Sequence, residues 1–290
     1  MRDTSQDVDG NNNLSGAFPA ENEKVTNEDA LSSPAAHRDQ LPGANINQAL
    51  ARGLHILQML VTEGSPMTAT AVAKRLGMHQ TSASRILATM IDVGYVRRDH
   101  AGLFEPDYGV LALASSTTRL PLITKPRPAV DRFIEKYPEL NLTMCMLWRD
   151  ELIYLLRVQR TSEPVIFWSG AFPINISSPG LRLLVDLPDD EAISILRVSR
   201  ERLGWGGRPE TVPETEEELL STARGLVVDE VLTLKNWYRE DHIGGAIPIE
   251  TPEPHPVALA IVDNDGHLTT EKLTVLLHQV RRDIERCFAD

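Results

Sequence analysis

The chain has 290 residues, of which 42% are hydrophobic and 24% are charged, and its formal net charge is −12. This length predicts about two domains of ordinary size. The two cysteines, Cys145 and Cys287, are too few for a disulfide framework and too isolated for a zinc site. No apolar run approaches the length of a membrane span, and the polar N-terminus has no signal-peptide core. We therefore expect a cytoplasmic protein without a membrane partner.

The first 43 residues differ in composition from the rest of the chain. Residues 1–43 are rich in Asp, Asn, Ser, Glu and Pro and lack apolar periodicity, which predicts a disordered N-terminal tail. An amphipathic helix of about four turns is predicted next, and it ends at the breaker Glu63-Gly64-Ser65-Pro66. Its apolar positions are Ile46, Leu50, Leu54, Leu57, Leu60 and Val61.

Two further helices follow, separated by a sharp turn. The apolar residues of the first have helical spacing, and they are Ala69, Val72, Ala73 and Leu76. Thr68 can cap this helix, and Gly77 ends it because a residue without Cβ adopts the left-handed conformation of a helix exit. The next helix is predicted from about His79 to Val93, before Gly94. This order is typical of a helix-turn-helix.

The first turn of that last helix is mostly polar, whereas the first turn of an ordinary core helix contains both polar and apolar residues. It carries Gln80, Thr81, Ser82, Ser84 and Arg85. Proteins that read the major groove place short hydrogen-bonding side chains and arginines at this end of the recognition helix. We therefore predict that these five residues contact DNA; the alternative is an exposed helix face with ordinary caps.

A strand, a turn and a second strand are predicted at 95–98, 99–102 and 103–106, which completes a winged helix-turn-helix at residues 44–106. Arg97, Arg98 and His100 would contact phosphate from the hairpin, unless they are a solvated strand edge. Lys74 is either a phosphate contact or a solvated helix end.

Residues 45–118 have a net charge of only +1, whereas residues 1–44 carry −5 and residues 119–290 carry −8. DNA affinity would thus depend on the placement of a few cations and on dimerisation.

The second half alternates strands and helices. Residues 107–128 predict a linker helix and a proline-rich hinge, and residues 129–290 predict an α+β domain. Helices are expected at 129–137, 180–187, 190–196, 216–224 and 270–288. Strands are expected at 140–148, 152–158, 165–168, 225–229, 243–250 and 256–263.

The chain resembles the IclR family of bacterial transcription regulators over roughly residues 45–289. The strongest likeness runs from Asn47 to Phe104 and includes the recognition-helix sequence Gln80-Thr81-Ser82-Ala83-Ser84-Arg85-Ile86-Leu87. In the second domain, residues 170–181, 224–230 and 245–248 are similar to the family's segments. The resemblance implies a winged helix-turn-helix joined by a linker helix to a GAF-like α/β domain that binds a small effector. It also implies dimers or dimers of dimers on operator DNA.

The resemblance also implies where an effector would bind. The residues that align with the family pocket are Ser177, Ser178, Asp229, Glu230, Gly244 and Ala260. This chain has Asn175 at the family's histidine position and Leu181 at its lysine position, and Ala260 and Val262 stand where serines are frequent. With fewer polar anchors, a partly aromatic or apolar metabolite with one polar end is favoured over a small dicarboxylate.

These observations predict a ligand-responsive transcription regulator that binds operator DNA and senses a small organic or aromatic acid. The alternative is a DNA-binding regulator whose C-terminal domain only oligomerises and binds no small molecule. We expect no enzyme, since the sequence has no nucleophile–base pair at a telling spacing, and we expect no cofactor and no metal. Asp263-Asn264-Asp265-Gly266 is similar to the start of a calcium loop, but a hairpin turn is the expected structure.

Overall fold

The computed structural model describes residues 47–148, 151–159, 162–165, 168–169 and 172–289. The predicted tail at 1–43 and part of the predicted turn after residue 148 lie outside the described residues. The chain divides into two units, Met1–Asn45 and Ile46–Asp290, and every described residue belongs to the second unit.

Three helices open the described chain: α1 (Gln48–Glu63), α2 (Ala69–Arg75) and α3 (Gln80–Asp92). Capping side chains define where α1 and α2 begin, because the first amides of a helix have no partner within it. Asn47 accepts hydrogen bonds from the amides of Ala49 and Leu50, and Thr68 accepts one from Ala71 at 3.1 Å. Gly77 has a φ of +58°, which is the left-handed turn between α2 and α3 that the sequence predicts.

The three helices share one small core with the hairpin that follows them. Its buried residues are Ile56, Leu60, Val72, Ala73, Ala83, Leu87, Met90, Val96 and Phe104. The apolar stripe of α1 is wider than the face that reaches this core. Leu50, Leu54 and Val61 are 63%, 57% and 42% exposed, which corrects the expectation of a simple amphipathic helix.

The hairpin pairs β1 (Val96–Arg98) with β2 (Phe104–Pro106), as expected. The linker helix α4 (Gly109–Ser115) starts directly against the end of α3. The Gly109 amide donates to the Gly94 carbonyl at 3.0 Å, and a Cβ added to Gly109 would lie 2.3 Å from that oxygen. A glycine is therefore required where the linker meets the recognition helix.

The second domain contains the remaining elements. Its helices are α5 (Pro121–Thr124), α6 (Arg127–Lys136), α7 (Ser178–Leu184), α8 (Asp189–Leu203), α9 (Glu216–Gly225) and α10 (Thr270–Ala289). Its strands are β3 (Asn141–Trp148), β4 (Glu151–Gln159), β5 (Ser162–Val165), β6 (Trp168–Ser169), β7 (Val227–Val228), β8 (Val231–Lys235), β9 (Ile243–Ile249) and β10 (Val257–Asp263).

Within the described ranges, these strands form one antiparallel sheet in the order β5-β4-β3-β10-β9-β8-β7, with β6 also paired to β4. One face packs against α6 and α10, and the opposite face packs against α7, α8 and α9. All seven residues of α7 are buried. Helix α7 therefore lies between the sheet and the outer helices.

Most of the expected elements are present, and three differ. Strand β8 is absent from the sequence-based expectation. Asp229 and Glu230, at φ +49° and +66°, form a tight turn, and β8 begins directly after it and pairs with β7. The single strand expected at 165–168 is replaced by the separate strands β5 and β6. Helix α8 continues to Leu203, seven residues beyond the expected end.

The core of the three-helix module yields a stability test. Leu87 is fully buried, so Leu87→Ala should lower the free energy of unfolding by about 2–5 kcal/mol through lost burial and a residual cavity. Val93 is 55% exposed, and Val93→Ala should change stability by less than about 0.5 kcal/mol. Urea unfolding of both variants measures the difference; equal effects would contradict this core.

Candidate functional site

The start of α3 presents a polar surface to solvent. Gln80, Thr81, Ser84 and Arg85 are exposed, Ser82 is half-buried, and Ala83 and Leu87 point into the core. Across the described part of the chain, the side chains of these polar residues form no hydrogen bond or ion pair. Their donors and acceptors are therefore available to a partner outside the chain.

Helix α2 adds two cations of different character. Arg75 is paired with Glu63 of α1 at 2.6 Å, which uses part of its charge to fix α2 against α1. Lys74 is exposed, and among the described residues no carboxylate lies within ion-pair distance of its ammonium group. Lys74 therefore keeps its charge available for a phosphate, which is compatible with both alternatives that the sequence leaves open.

The two arginines of the hairpin are not equivalent. Arg97 forms an ion pair with Glu105 across the β1–β2 ladder at 2.8 Å, and this hydrogen bond raises the pKa of Arg97. Arg98 donates to the Gly102 carbonyl at 3.2 Å and lies over the Phe104 ring at 4.3 Å. The charge of Arg97 is thus compensated within the protein, whereas that of Arg98 is not neutralised by its contacts.

A second candidate site lies on the sheet face that α7 covers. The pairing aligns Ala246, Ala260, Thr143 and Arg157 as successive neighbours on β9, β10, β3 and β4. Gly244 lies two residues before Ala246 on β9 and therefore on the same face of the sheet. A Cβ added to Gly244 would lie 3.2 Å from the Ser178 hydroxyl. Small residues thus form a flat floor under the first residues of α7.

Polar groups that the sequence analysis missed border this floor. Thr143 contacts the thiol of Cys145, and Tyr154 shares a hydrogen bond with Ser177. Burial raises the pKa of Tyr154 well above its usual range, so its hydroxyl remains a neutral donor and acceptor. Arg157 lies close enough to Cys145 and Tyr154 to act electrostatically on both. The anchors lost at Ala260 and Val262 are therefore matched by polar residues on β3 and β4.

Ser177 and Ser178 begin α7 and are buried. The Ser177 hydroxyl caps the helix by accepting from the Gly180 amide at 3.2 Å, and it also reaches Tyr154. Ser178 faces Gly244. The structure thus brings together four of the six residues that the resemblance assigns to an effector: Ser177, Ser178, Gly244 and Ala260.

Asp229 and Glu230 lie apart from these four residues, so the structure does not bring all six together. They form the exposed β7–β8 turn, beyond the strand residues that border the floor. The Glu230 carboxylate is paired with Arg281 of α10, and the Asp229 carbonyl contacts the His278 ring at 3.1 Å. These acidic residues attach the turn to α10, so we leave them out of the candidate site.

Asn175, at the position of the family histidine, has a structural role. Its side-chain amide donates to the Gly206 carbonyl at 2.7 Å, and its oxygen accepts from the Gly206 amide at 3.2 Å. A Cβ at Gly206 would lie 2.7 Å from the terminal methyl of Ile176, so a larger residue there would require the Ile176 side chain to move. The two hydrogen bonds fix the segment that leads into Ser177.

Asp263, Asp265 and His267 have ligand atoms within 4.8 Å of one another. Both oxygens of the buried Asp263 already accept backbone hydrogen bonds, from Asp265 at 2.9 Å and Leu268 at 2.7 Å. The Asp263 carboxylate therefore organises the turn before α10. In the described ranges, no helix has the length and apolar character needed to cross a membrane.

Comparison with known proteins identifies the class. Residues 49–100 match the family model of the IclR helix-turn-helix domain. An IclR family transcriptional regulator from Brucella abortus has a similar structure, with a TM-score of 0.68 and 24% identity over 83% of this chain and 93% of that chain. A protein described as a transcriptional regulator from Rhodococcus sp. RHA1 gives a TM-score of 0.56 and 25% identity over 84% and 99%.

An IclR homolog from Microbacterium hydrocarbonoxydans, solved in complex with 4-hydroxybenzoate, gives a TM-score of 0.59 and 20% identity over 83% of this chain and 99% of that chain. No curated protein matches the sequence. The fold and the exposed α3 surface define a DNA-binding regulator with a winged helix-turn-helix. Residues 49–100 are therefore an IclR-type helix-turn-helix domain, and the solved structures that the chain resembles include an IclR family transcriptional regulator.

The unequal hairpin arginines yield a test with salt. If Arg98 neutralises one phosphate, Arg98→Ala should lower the slope of log affinity against log salt by about 0.9 per subunit. Glu105→Gln should steepen the slope, because it releases the charge of Arg97. Arg197→Ala, on α8, is the control with the same charge change. A slope that none of these variants alters would mean that the hairpin does not contact DNA.

Proposed function

We propose that the protein is a ligand-responsive regulator that binds operator DNA through α3 and the hairpin. The observation that carries this proposal is the polar start of α3, which has unused donors and acceptors on an IclR-type helix-turn-helix. Arg85 can form a bidentate contact with a guanine edge, and Ser84 and Gln80 can reach neighbouring bases. Thr81, Ser82, Lys74 and Arg98 would bind the backbone on either side.

Arg85 is the residue with most effect in this arrangement. Arg85→Ala should weaken specific binding by about 1–3 kcal/mol, or roughly 5- to 150-fold, because it removes a charge-assisted contact. Ser84→Ala should change base preference more than overall affinity. Gel shifts with a duplex selected against the wild-type chain measure both effects, and Arg132→Ala on α6 is the control. Wild-type affinity in Arg85→Ala would contradict the assignment.

The same proposal requires two copies of the chain, since one α3 reads only one half-site. An unpartnered apolar surface supports a homodimer. Helix α4 has no buried residue, and its Leu111 and Leu113 are 65% and 53% exposed. Leu111 and Tyr108 border a recess of about 330 Å³ beside Val61 of α1. A surface of this kind is typical of an interface between copies.

We infer that the effector is a small aromatic or other organic acid bound between the start of α7 and the sheet. The flat floor of Gly244, Ala246 and Ala260 suits a planar ring, and Arg157 offers a cation for a carboxylate. Thr143, Tyr154 and Ser177 supply hydroxyl groups beside it. The 4-hydroxybenzoate complex of the Microbacterium homolog supports this ligand class. Such a sensor acts on DNA directly, which places it in the cytoplasm.

Calorimetry on the full chain tests the effector. Benzoate and 4-hydroxybenzoate should bind, whereas glyoxylate and pyruvate should bind at least tenfold more weakly, because they cover less of the apolar floor. Arg157→Gln should reduce benzoate affinity at least tenfold, and Arg197→Gln on α8 should not. Tight binding of the two-carbon and three-carbon acids without a response to benzoates would contradict this ligand class.

One observation favours the alternative function, in which the α/β domain only oligomerises. The candidate effector residues Ser177, Ser178 and Ala260 are only 2%, 5% and 0% exposed. A ligand that reaches them has to open the packing of α7. Normal operator binding, together with no calorimetric response to any of the four acids, would favour this alternative.

A further inference from the structure

Two buried polar atoms stand out at the end of the β8–β9 ladder. Asn236 Oδ1 and His242 Nδ1 have no hydrogen-bond partner within the described part of the chain. The two residues are cross-strand neighbours, because the backbone amide of Asn236 donates to the backbone carbonyl of His242 at 2.7 Å. Buried polar groups without a partner cost stability, and two on adjacent residues indicate that another molecule supplies the missing contact.

His242 lies at the candidate effector site. It precedes Gly244 by two residues, and alternate residues of a strand share a face. A Cβ added to Gly244 would lie 3.6 Å from His242 Cε1 and 3.2 Å from Ser178 Oγ. The imidazole and the Ser178 hydroxyl therefore flank the same glycine, on the sheet face that α7 covers.

Aromatic rings surround the imidazole on its outer side. The Tyr238 ring packs edge-on against His242, with centroids 5.6 Å apart, and Phe172 lies 5.8 Å from Tyr238. Burial and the neighbouring Arg239 lower the pKa of His242, while Asp263 acts in the opposite direction. The imidazole is consequently neutral near pH 7, with one nitrogen that donates and one that accepts.

The hydrogen-bonding properties of Asn236 Oδ1 and His242 Nδ1 indicate which functional group of a ligand could pair with them. Asn236 Oδ1 accepts a hydrogen bond, and His242 Nδ1 either accepts or donates according to its tautomer. A hydroxyl group satisfies both atoms when Nδ1 carries the proton, because it then donates to Asn236 Oδ1 and accepts from His242 Nδ1; with the other tautomer it can donate to only one of the two. A methoxy group cannot donate, and an unsubstituted ring offers neither function.

We propose that His242, together with Asn236, determines effector specificity by binding a hydroxyl group at the end of the ligand away from Arg157. This inference rests on the proposed effector site. Arg157 is in register with Ala246, four residues from His242, so the two positions are offset by about 14 Å across the strands at ~4.8 Å per step and by about 13 Å along them at ~3.3 Å per residue. This separation exceeds the length of a benzoate, so both side chains have to reach inward to contact its two ends.

The test compares three probes on the full chain by calorimetry: benzoate, its para-hydroxyl derivative and its para-methoxy derivative. The wild type should bind the hydroxylated probe at least tenfold more tightly than the other two. His242→Leu should abolish this preference while benzoate affinity stays within threefold. Asn236→Gly, which suits the φ of +61° at that position, should reduce the preference as well. His242→Gln, which keeps a donor and an acceptor, should restore part of it.

Two controls separate specificity from folding. His255→Leu changes an exposed histidine and should leave the preference intact. The melting temperature of His242→Leu should change little, because leucine has a similar volume and keeps an apolar contact with the Tyr238 ring. Equal wild-type affinity for the three probes, or an equal loss for all of them in His242→Leu, would overturn this inference and leave the proposed function standing. Failure of every benzoate to bind the wild type would overturn both.

Discussion

The burial of α7 is the constraint on which the second domain depends. All seven of its residues are buried between the sheet and the outer helices, including the charged Arg182. A buried cation is tolerated only with partners, and Arg182 donates to the Glu230 carbonyl at 2.7 Å and to Asp186 at 2.6 Å. Glu230 in turn pairs with Arg281 of α10. One end of α7 is therefore fixed to the β7–β8 turn and α10, while its other end, at Ser177 and Ser178, forms the roof of the candidate effector site.

The DNA-binding module has a comparable point of attachment. The linker begins where Gly109 touches the carbonyl of Gly94, the glycine that follows the recognition helix. Because this is a contact between backbones, a displacement of α4 moves the end of α3 with it. The exposed apolar side of α4 is also the surface that we assign to a second copy. An effector that changes the packing of the second domain can thus alter the separation of two recognition helices through the linker, which is how binding at one site becomes linked to affinity at the other.

The sequence predicted the winged helix-turn-helix well because its signals are local: the Thr68 cap, the left-handed Gly77 and the polar first turn of α3 each act within a few residues. The effector site was predicted only in part. Thr143 and Arg157 become neighbours through strand pairing, and that pairing shifts between Met144 and Cys145, so simple alternation along β4 does not reveal which residues share a face. Nor could periodicity distinguish the exposed leucines of α1 from those in its core. The alignment groups Asp229 and Glu230 with the other four residues because it carries no information on the turn that holds them against α10.

The central claim is that binding of a small acid and binding of operator DNA to the same chain are thermodynamically coupled. It is tested most directly by measuring the affinity for each ligand in the presence of the other. The account predicts that a saturating benzoate probe changes the dissociation constant of the selected duplex by about 5- to 150-fold. Saturating duplex must then change the dissociation constant of the probe by the same factor, since the linkage is reciprocal. Two ligands that both bind, each without any effect on the affinity for the other, would contradict the account.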